Sequence, residues 1–237
     1  MTNRVTLFAI AFGLFLTSTL YAQYDSPAPG AAPDSPLSSD QPWKLVFFPI
    51  GDTQGTADGI SELIRSGFVP VGLEITPGAS IAVLVARTEM LEIRGWVITD
   101  IDDWNTLEGE ITAGIERGLV PMDISRYGDS LAVMWVDTDF PIEGWRISTS
   151  PNTVSDRIRT INDFQGLGFT LWGMSVHENL AWYLFLRLPG TFPSGAVSGF
   201  AKDATALQAG MVAASKEGWA PNGFASSLNN FYLCFIQ

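Results

Sequence analysis

Apolar and small residues recur along this chain with a period of about 50 residues. Four glycines lie 51, 50 and 50 residues apart: Gly67, Gly118, Gly168 and Gly218. An apolar residue stands seven positions before each of them: Ile60, Ile111, Ile161 and Met211. Self-similarity at a fixed spacing is typical of tandem repeats. The pattern predicts four units at about 43–94, 95–143, 144–191 and 192–237.

Each unit has the pattern of a strand, a helix and two further strands. Helices are predicted near 57–66, 106–117, 153–165 and 203–216. In the third helix, Val154, Ile158 and Ile161 recur at i, i+4 and i+7, which predicts one buried apolar stripe. Thr106, Thr153 and Asp203 are the predicted N-caps. The repeated glycine is expected to end each helix in a left-handed conformation, which glycine adopts without steric strain.

The last strand of each unit is apolar at consecutive positions. Residues 131–136 read Leu-Ala-Val-Met-Trp-Val, and residues 180–185 read Leu-Ala-Trp-Tyr-Leu-Phe. Strands of this kind are buried on both faces. One face can pack on the helix of the same unit, and the other needs a neighbouring sheet. We therefore expect an α+β fold of four tandem β-α-β-β repeats, with antiparallel hairpins packed inside, helices outside and pseudo-symmetry. Residues 43–237 would form one domain.

The N-terminus has the features of an exported protein. Arg4 precedes an apolar run from Val5 to Leu16, and Leu20 and Ala22 fit a cleavage site, which predicts a signal peptide over 1–22. An uncleaved anchor is the alternative. Residues 23–42 contain five prolines and little to bury, so they predict a disordered leader. We expect a periplasmic or secreted protein with no membrane span after signal removal.

The net charge and the cysteine content limit the binding partners and metal sites that the chain can have. The formal net charge is −12 and the chain has only three lysines, so nucleic acid is a poor partner. Cys234 is the single cysteine, which excludes an internal disulfide and a thiolate metal cluster. No cofactor is expected, with calcium left open.

The last unit resembles a known family. Ser215-Lys216-Glu217-Gly218-Trp219, at the end of an alanine-rich helix, is similar to a small bacterial domain of unknown function with a helix ending in Gly-Trp-Glu-Leu. The Gly-aromatic-x-Pro pattern also resembles bacterial tandem repeats found beside serine-hydrolase-like domains. All four copies lack the glutamate after the aromatic residue. Neither resemblance implies catalytic residues.

The strongest local departure from the repeats is an acidic cluster. Asp100, Asp102 and Asp103 lie within four residues at the end of a predicted first strand, and Trp104 follows directly. Trp104 has no counterpart in the other copies, unlike the tryptophans that recur at the start of three units: Trp43, Trp96 and Trp145. We predict ligand binding at these four residues, with Asp100 and Asp102 as candidate calcium ligands. The alternative is that the carboxylates cap the next helix and solvate the surface.

His177 and Ser175 could be interpreted as the base and the nucleophile of a catalytic pair. Alternate strand residues stand about 7 Å apart, which is too far for the activating hydrogen bond. The repeat register instead predicts that both residues lie at a solvated turn. The sequence therefore favours a non-enzymatic binding or assembly module that contacts another envelope or secreted protein, or a glycan. A carboxylate-dependent hydrolase or carbohydrate-active protein and a calcium-dependent structural module are the alternatives.

Overall fold

A computed structural model describes residues 42–76, 80–87, 91–190, 195–227 and 230–237. The predicted signal peptide lies outside these residues, as does the predicted leader apart from Pro42. The predicted turn at Pro77-Gly78 also lies outside them.

The described residues form four helices and twelve strands in a repeated α+β pattern. The helices are α1 (Thr53–Arg65), α2 (Leu107–Glu116), α3 (Val154–Gly166) and α4 (Ala204–Lys216). The strands are β1 (Trp43–Pro49), β2 (Phe68–Thr76), β3 (Ser80–Arg87), β4 (Gly95–Ile101), β5 (Leu119–Tyr127), β6 (Ser130–Asp137), β7 (Gly144–Pro151), β8 (Thr170–His177), β9 (Leu180–Arg187), β10 (Gly195–Ala201), β11 (Ala220–Ser226) and β12 (Asn230–Ile236). No helix among the described residues is both long and apolar enough to cross a membrane.

Four three-stranded antiparallel sheets result. Their strand orders are β1-β3-β2 in sheet 1, β4-β6-β5 in sheet 2, β7-β9-β8 in sheet 3 and β10-β12-β11 in sheet 4. The middle strand is always the one whose sequence is continuously apolar, and residues 131–136 of β6 are all buried. This confirms burial on both faces for β6. Strand β9 is not buried along its whole length, because Leu180 at its start is 43% exposed.

The sheets meet through strands β2, β5, β8 and β11. Strand β2 contacts β5, β5 contacts β8, β8 contacts β11, and β11 contacts β2, so the four strands form a closed ring. The register of each shifts at one bulge, which lets a strand bend. The residue after the bulge is Gly72, Asp123, Gly173 or Gly223. A Cβ atom added to Gly173 would lie 2.3 Å from Oδ1 of Asp123, so only glycine fits there.

The helix ends follow the sequence closely. Gly67, Gly118, Gly168 and Gly218 have φ angles of 84°, 83°, 80° and 84°, which confirms the left-handed conformation. Helix α1 begins earlier than predicted, because the side chain of Asp52 accepts a hydrogen bond from the Gly55 amide. Thr153 and Asp203 cap α3 and α4 through their side chains. Thr106 is the N-cap of α2 but makes no side-chain capping bond.

The predicted apolar stripe of α3 is wrong in part. Ile161 is buried, but Val154 is 64% exposed and Ile158 is 54% exposed. The helix instead buries Arg157, whose guanidinium lies 5.0 Å from the ring of Tyr232 in sheet 4. Helix α3 contacts β10 as well as β7 and β8, so the position of sheet 4 sets which side of the helix is covered.

Candidate functional site

The three predicted site carboxylates each have a different partner. Asp102 accepts a hydrogen bond from the Ser130 hydroxyl in the β5–β6 hairpin. Asp103 accepts one from the Asn105 amide at 2.9 Å, within its own loop. The carboxyl of Asp100, in β4, is hydrogen-bonded to Tyr127. The structure therefore places the three side chains in one region but connects each to local structure.

Burial changes the ionisation of the innermost member of this cluster. Desolvation raises the pKa of Asp100, the hydrogen bond with Tyr127 lowers it, and the charge of Asp102 raises it. Within the part of the chain that the structure describes, Oδ1 of Asp100 is buried without a hydrogen-bond partner. In the same described part, no group of three or more His, Cys, Asp and Glu side chains is placed to hold a metal ion.

Trp104, in the loop between β4 and α2, packs against a second tryptophan, which lies in sheet 3. Its ring stacks on that of Trp182, in β9, with centroids 4.9 Å apart and planes at 28°. The guanidinium of Arg126, in β5, lies 4.8 Å from the Trp104 centroid and 5.8 Å from that of Trp182. Arg126 is fixed by a 2.8 Å bond from Nη1 to the Ser130 carbonyl. The loop before α2, strand β5 of sheet 2 and strand β9 of sheet 3 thus meet in one aromatic and cationic cluster.

This cluster reaches the surface. Trp104 is 36% exposed, and Leu180 is 43% exposed. Leu180 and Trp182 are two residues apart on β9, so their side chains point to the same face. We call Trp104, Arg126, Leu180 and Trp182 the tryptophan platform. It presents apolar surface beside the carboxylate of Asp102, which is exposed.

Sequence reasoning missed Trp182 and Arg126. The strand registers align Trp182 with Ala82, Ala132 and Tyr232 of the other middle strands. They likewise align Arg126 with Ile75, Val176 and Ser226. Each residue is therefore a departure from the repeat, and this signal was available in the sequence.

Asp123 lies at the centre of the strand ring and was also missed. It is fully buried, and its carboxyl accepts hydrogen bonds from four backbone amides. Oδ1 accepts from Ile124 and Met174, both at 2.9 Å. Oδ2 accepts from Leu73 at 2.8 Å and from Phe224 at 3.0 Å. Since those amides belong to β2, β5, β8 and β11, one side chain connects all four sheets.

Two opposing effects act on the pKa of the Asp123 carboxyl. Burial raises the pKa of the carboxyl well above its ordinary value, and the four amide bonds lower it. The donor set suits a carboxylate, because amide N–H groups are donors and an ionised carboxyl offers only acceptors. The sequence signal is again a departure from the repeat, since the other copies have Gly72, Gly173 and Gly223 at this position.

Glu74 is a second buried acid in the ring. Its Oε1 accepts a 2.8 Å hydrogen bond from Ser226, and its Oε2 accepts a 3.5 Å bond from Ser125. Burial raises the pKa of Glu74 to about 8, while the Ser226 and Ser125 bonds and the charge of Lys202 act in the opposite direction. Glu74 therefore links sheet 1 to sheets 2 and 4.

The solvated-turn prediction is wrong for Ser175. This residue is fully buried in β8, and its hydroxyl accepts a 2.8 Å hydrogen bond from the Arg126 amide. Ser125 makes the corresponding contact with the Ile75 amide, also at 2.8 Å. Both serines join neighbouring strands of the ring, which explains their burial. His177 is the last residue of β8 and is half-buried.

Comparison with protein-family models finds no match for this chain, and comparison with curated proteins finds none either. The resemblances drawn from the sequence remain predictions.

Proposed function

We propose that this chain is an exported, non-enzymatic protein that binds another envelope or secreted protein through the tryptophan platform. The scaffold in this proposal consists of four tandem β-α-β-β repeats of about 50 residues in one domain, with hairpins inside, helices outside and pseudo-symmetry. The 50-residue glycine spacing supports the repeat, and the apolar run after Arg4 supports export.

The observation that carries the proposal is the exposed Trp104–Trp182 stack beside Arg126. Tryptophan and arginine are enriched among the few residues that dominate protein interfaces. Here the guanidinium against the stack is held in place, since the Arg126 side chain is only 10% exposed and its Nη1 is bonded to the Ser130 carbonyl. A rigid anchor loses little conformational entropy on binding.

A protein partner fits the platform better than a glycan. Leu180 extends the aromatic surface with an exposed aliphatic side chain. Aliphatic and aromatic surface together favour burial against apolar protein side chains. The polar residues of the ring support the scaffold part of the proposal, because Asp123, Glu74 and Ser175 each bond to a neighbouring sheet.

Site-specific photo-crosslinking tests the proposal. A benzoylphenylalanine is placed at position 180 in the full-length protein, expressed in the cells that naturally export it. The matched control carries the same group at Phe47, which is 47% exposed in β1 and outside the platform. We expect a discrete adduct from position 180 that disappears when Trp104→Ala is added. The variant at position 47 should give none.

Adducts of equal yield from both positions, or an adduct from position 180 that survives Trp104→Ala, would refute the platform as the binding surface. Circular dichroism of Trp104→Ala controls for folding, because removing a 36% exposed ring should leave the sheets intact.

A further inference from the structure

A cavity of about 400 Å³, partly open to solvent, lies between helix α4 and sheet 4 and shares no lining residue with the tryptophan platform. Aromatic side chains of Phe200, Trp219 and Phe235 line it, together with Ala214 and the hydroxyl-bearing Ser198. Glu217, which is exposed at the end of α4, also borders it. The volume falls within the range of small-molecule sites, roughly 300–1,000 Å³.

The cavity exists because no bulky side chain fills the space between α4 and sheet 4, whereas one does so at the helix–sheet contacts of sheets 2 and 3. Ala214 lies four residues before Gly218, and Phe164 lies four before Gly168. Phe164, in α3, stacks on Phe185, in β9 of sheet 3, with centroids 4.2 Å apart. The strand registers align Phe185 with Phe235, so Ala214 leaves open the space that Phe164 fills.

Sheet 2 fills the equivalent space in another way. Gly114 lies four residues before Gly118, and a Cβ atom added to it would lie 2.5 Å from the ring of Trp135. The large Trp135 ring therefore occupies the position against the helix. Sheet 4 combines the smaller Phe235 with Ala214 and Ala213, which leaves its helix–sheet interface open.

The lining of the cavity favours a positively charged ligand. Aromatic faces attract cations through the ring quadrupole, and enclosures of several rings bind quaternary ammonium groups. Glu217 adds a negative charge at the border, and the chain as a whole carries a formal charge of −12. Ser198 offers a hydroxyl for a polar substituent on the ligand.

We propose that the cavity between α4 and sheet 4 binds a small organic cation of the quaternary ammonium class. The aromatic side chains contact the alkyl groups on nitrogen, and Glu217 contributes favourable charge. This site is separate from the proposed protein-binding platform.

Calorimetric titration of the purified protein tests the proposal with two probes of nearly equal shape. Choline carries the charge, and 3,3-dimethyl-1-butanol is its neutral isostere. We expect choline to bind about tenfold more tightly than the neutral alcohol, since cation–π contacts and Glu217 act only on the charged probe. Glu217→Gln should weaken choline binding several-fold, and Glu116→Gln, at the exposed end of α2, should not change it.

A filled-cavity variant provides the second arm. Ala214→Phe introduces the residue type that α3 has at the equivalent position, Phe164, and should abolish choline binding. Ala209→Phe, at an exposed position of the same helix, is the matched control and should retain it. A cavity that takes neutral apolar molecules would bind both probes equally, and that result overturns the proposal. Absence of choline binding, or unchanged affinity in Glu217→Gln, overturns it even if Ala214→Phe fails to fold.

Discussion

Replacing Asp123 by Asn probes the connection among the four sheets. The substitution preserves the size of the side chain and removes one acceptor oxygen. The retained oxygen can still accept two of the four amide bonds made by Leu73, Ile124, Met174 and Phe224. The new NH₂ group then faces two backbone amide donors, and none of these three groups can accept a hydrogen bond.

The expected loss follows from those two amides. A buried donor without a partner costs about 1–3 kcal/mol, so the two backbone amides alone cost about 2–6 kcal/mol. Removing a buried charge offsets part of that loss, because burial disfavours the ionised carboxyl. We therefore expect Asp123→Asn to lower the free energy of unfolding by about 2–4 kcal/mol.

Urea unfolding followed by tryptophan fluorescence measures this change. The control is Asp163→Asn, which alters an exposed acid on α3 and should shift stability by less than about 0.5 kcal/mol. If Asp123→Asn is as stable as the wild type, the four amide bonds do not hold the sheets together in the manner described.

Two further predictions concern ionisation and packing. Burial raises the pKa of Glu74 from 4.5 to about 8, so the fold favours the protonated acid. The free energy of unfolding therefore falls as the pH rises from about 4.5 to about 8. The full loss is about 5 kcal/mol, from about 1.36 kcal/mol per pKa unit. Urea unfolding at about pH 5 and pH 9 measures this loss of stability, which should be smaller in Glu74→Gln than in wild type or in the exposed-site control Glu143→Gln. Equal losses in all three proteins would contradict the raised pKa of Glu74. Ile111→Ala should lower the free energy of unfolding by about 2–5 kcal/mol, because Ile111 is fully buried. Ile158→Ala should lower it by less than about 1 kcal/mol, because Ile158 is 54% exposed. Equal thermal midpoints for the two variants would show that burial does not set the difference.

Local features of the fold could be predicted from the sequence because they depend on neighbouring residues. The left-handed helix ends are set by Gly67 and its three counterparts, and the buried middle strands are set by continuous apolar runs. The face buried by α3 could not be predicted, since it depends on the contact between Arg157 and Tyr232 in another sheet. A helical period gives the apolar side of a helix but not the direction of its neighbours.

The residues of the tryptophan platform could be predicted only in part, for the same reason. Asp100, Asp102, Asp103 and Trp104 depart from the repeat in a way that the sequence alone shows. Trp182 is 78 residues beyond Trp104 in the chain, and their stacking depends on how sheets 2 and 3 meet. Asp123 could have been identified as an acid among glycines. Its four amide partners could not, because three of them belong to other sheets.

Amide hydrogen exchange of the ¹⁵N-labelled protein tests the closed strand ring most directly. The amides of Leu73, Met174 and Phe224 come from sheets 1, 3 and 4, and all three bond to the carboxyl of Asp123. If the ring opens only as a whole, the three amides exchange with one free energy, equal to that of global unfolding. Exchange of Phe224 at a clearly lower free energy than Leu73 would contradict the account, because sheet 4 would then separate while the rest of the ring stays folded.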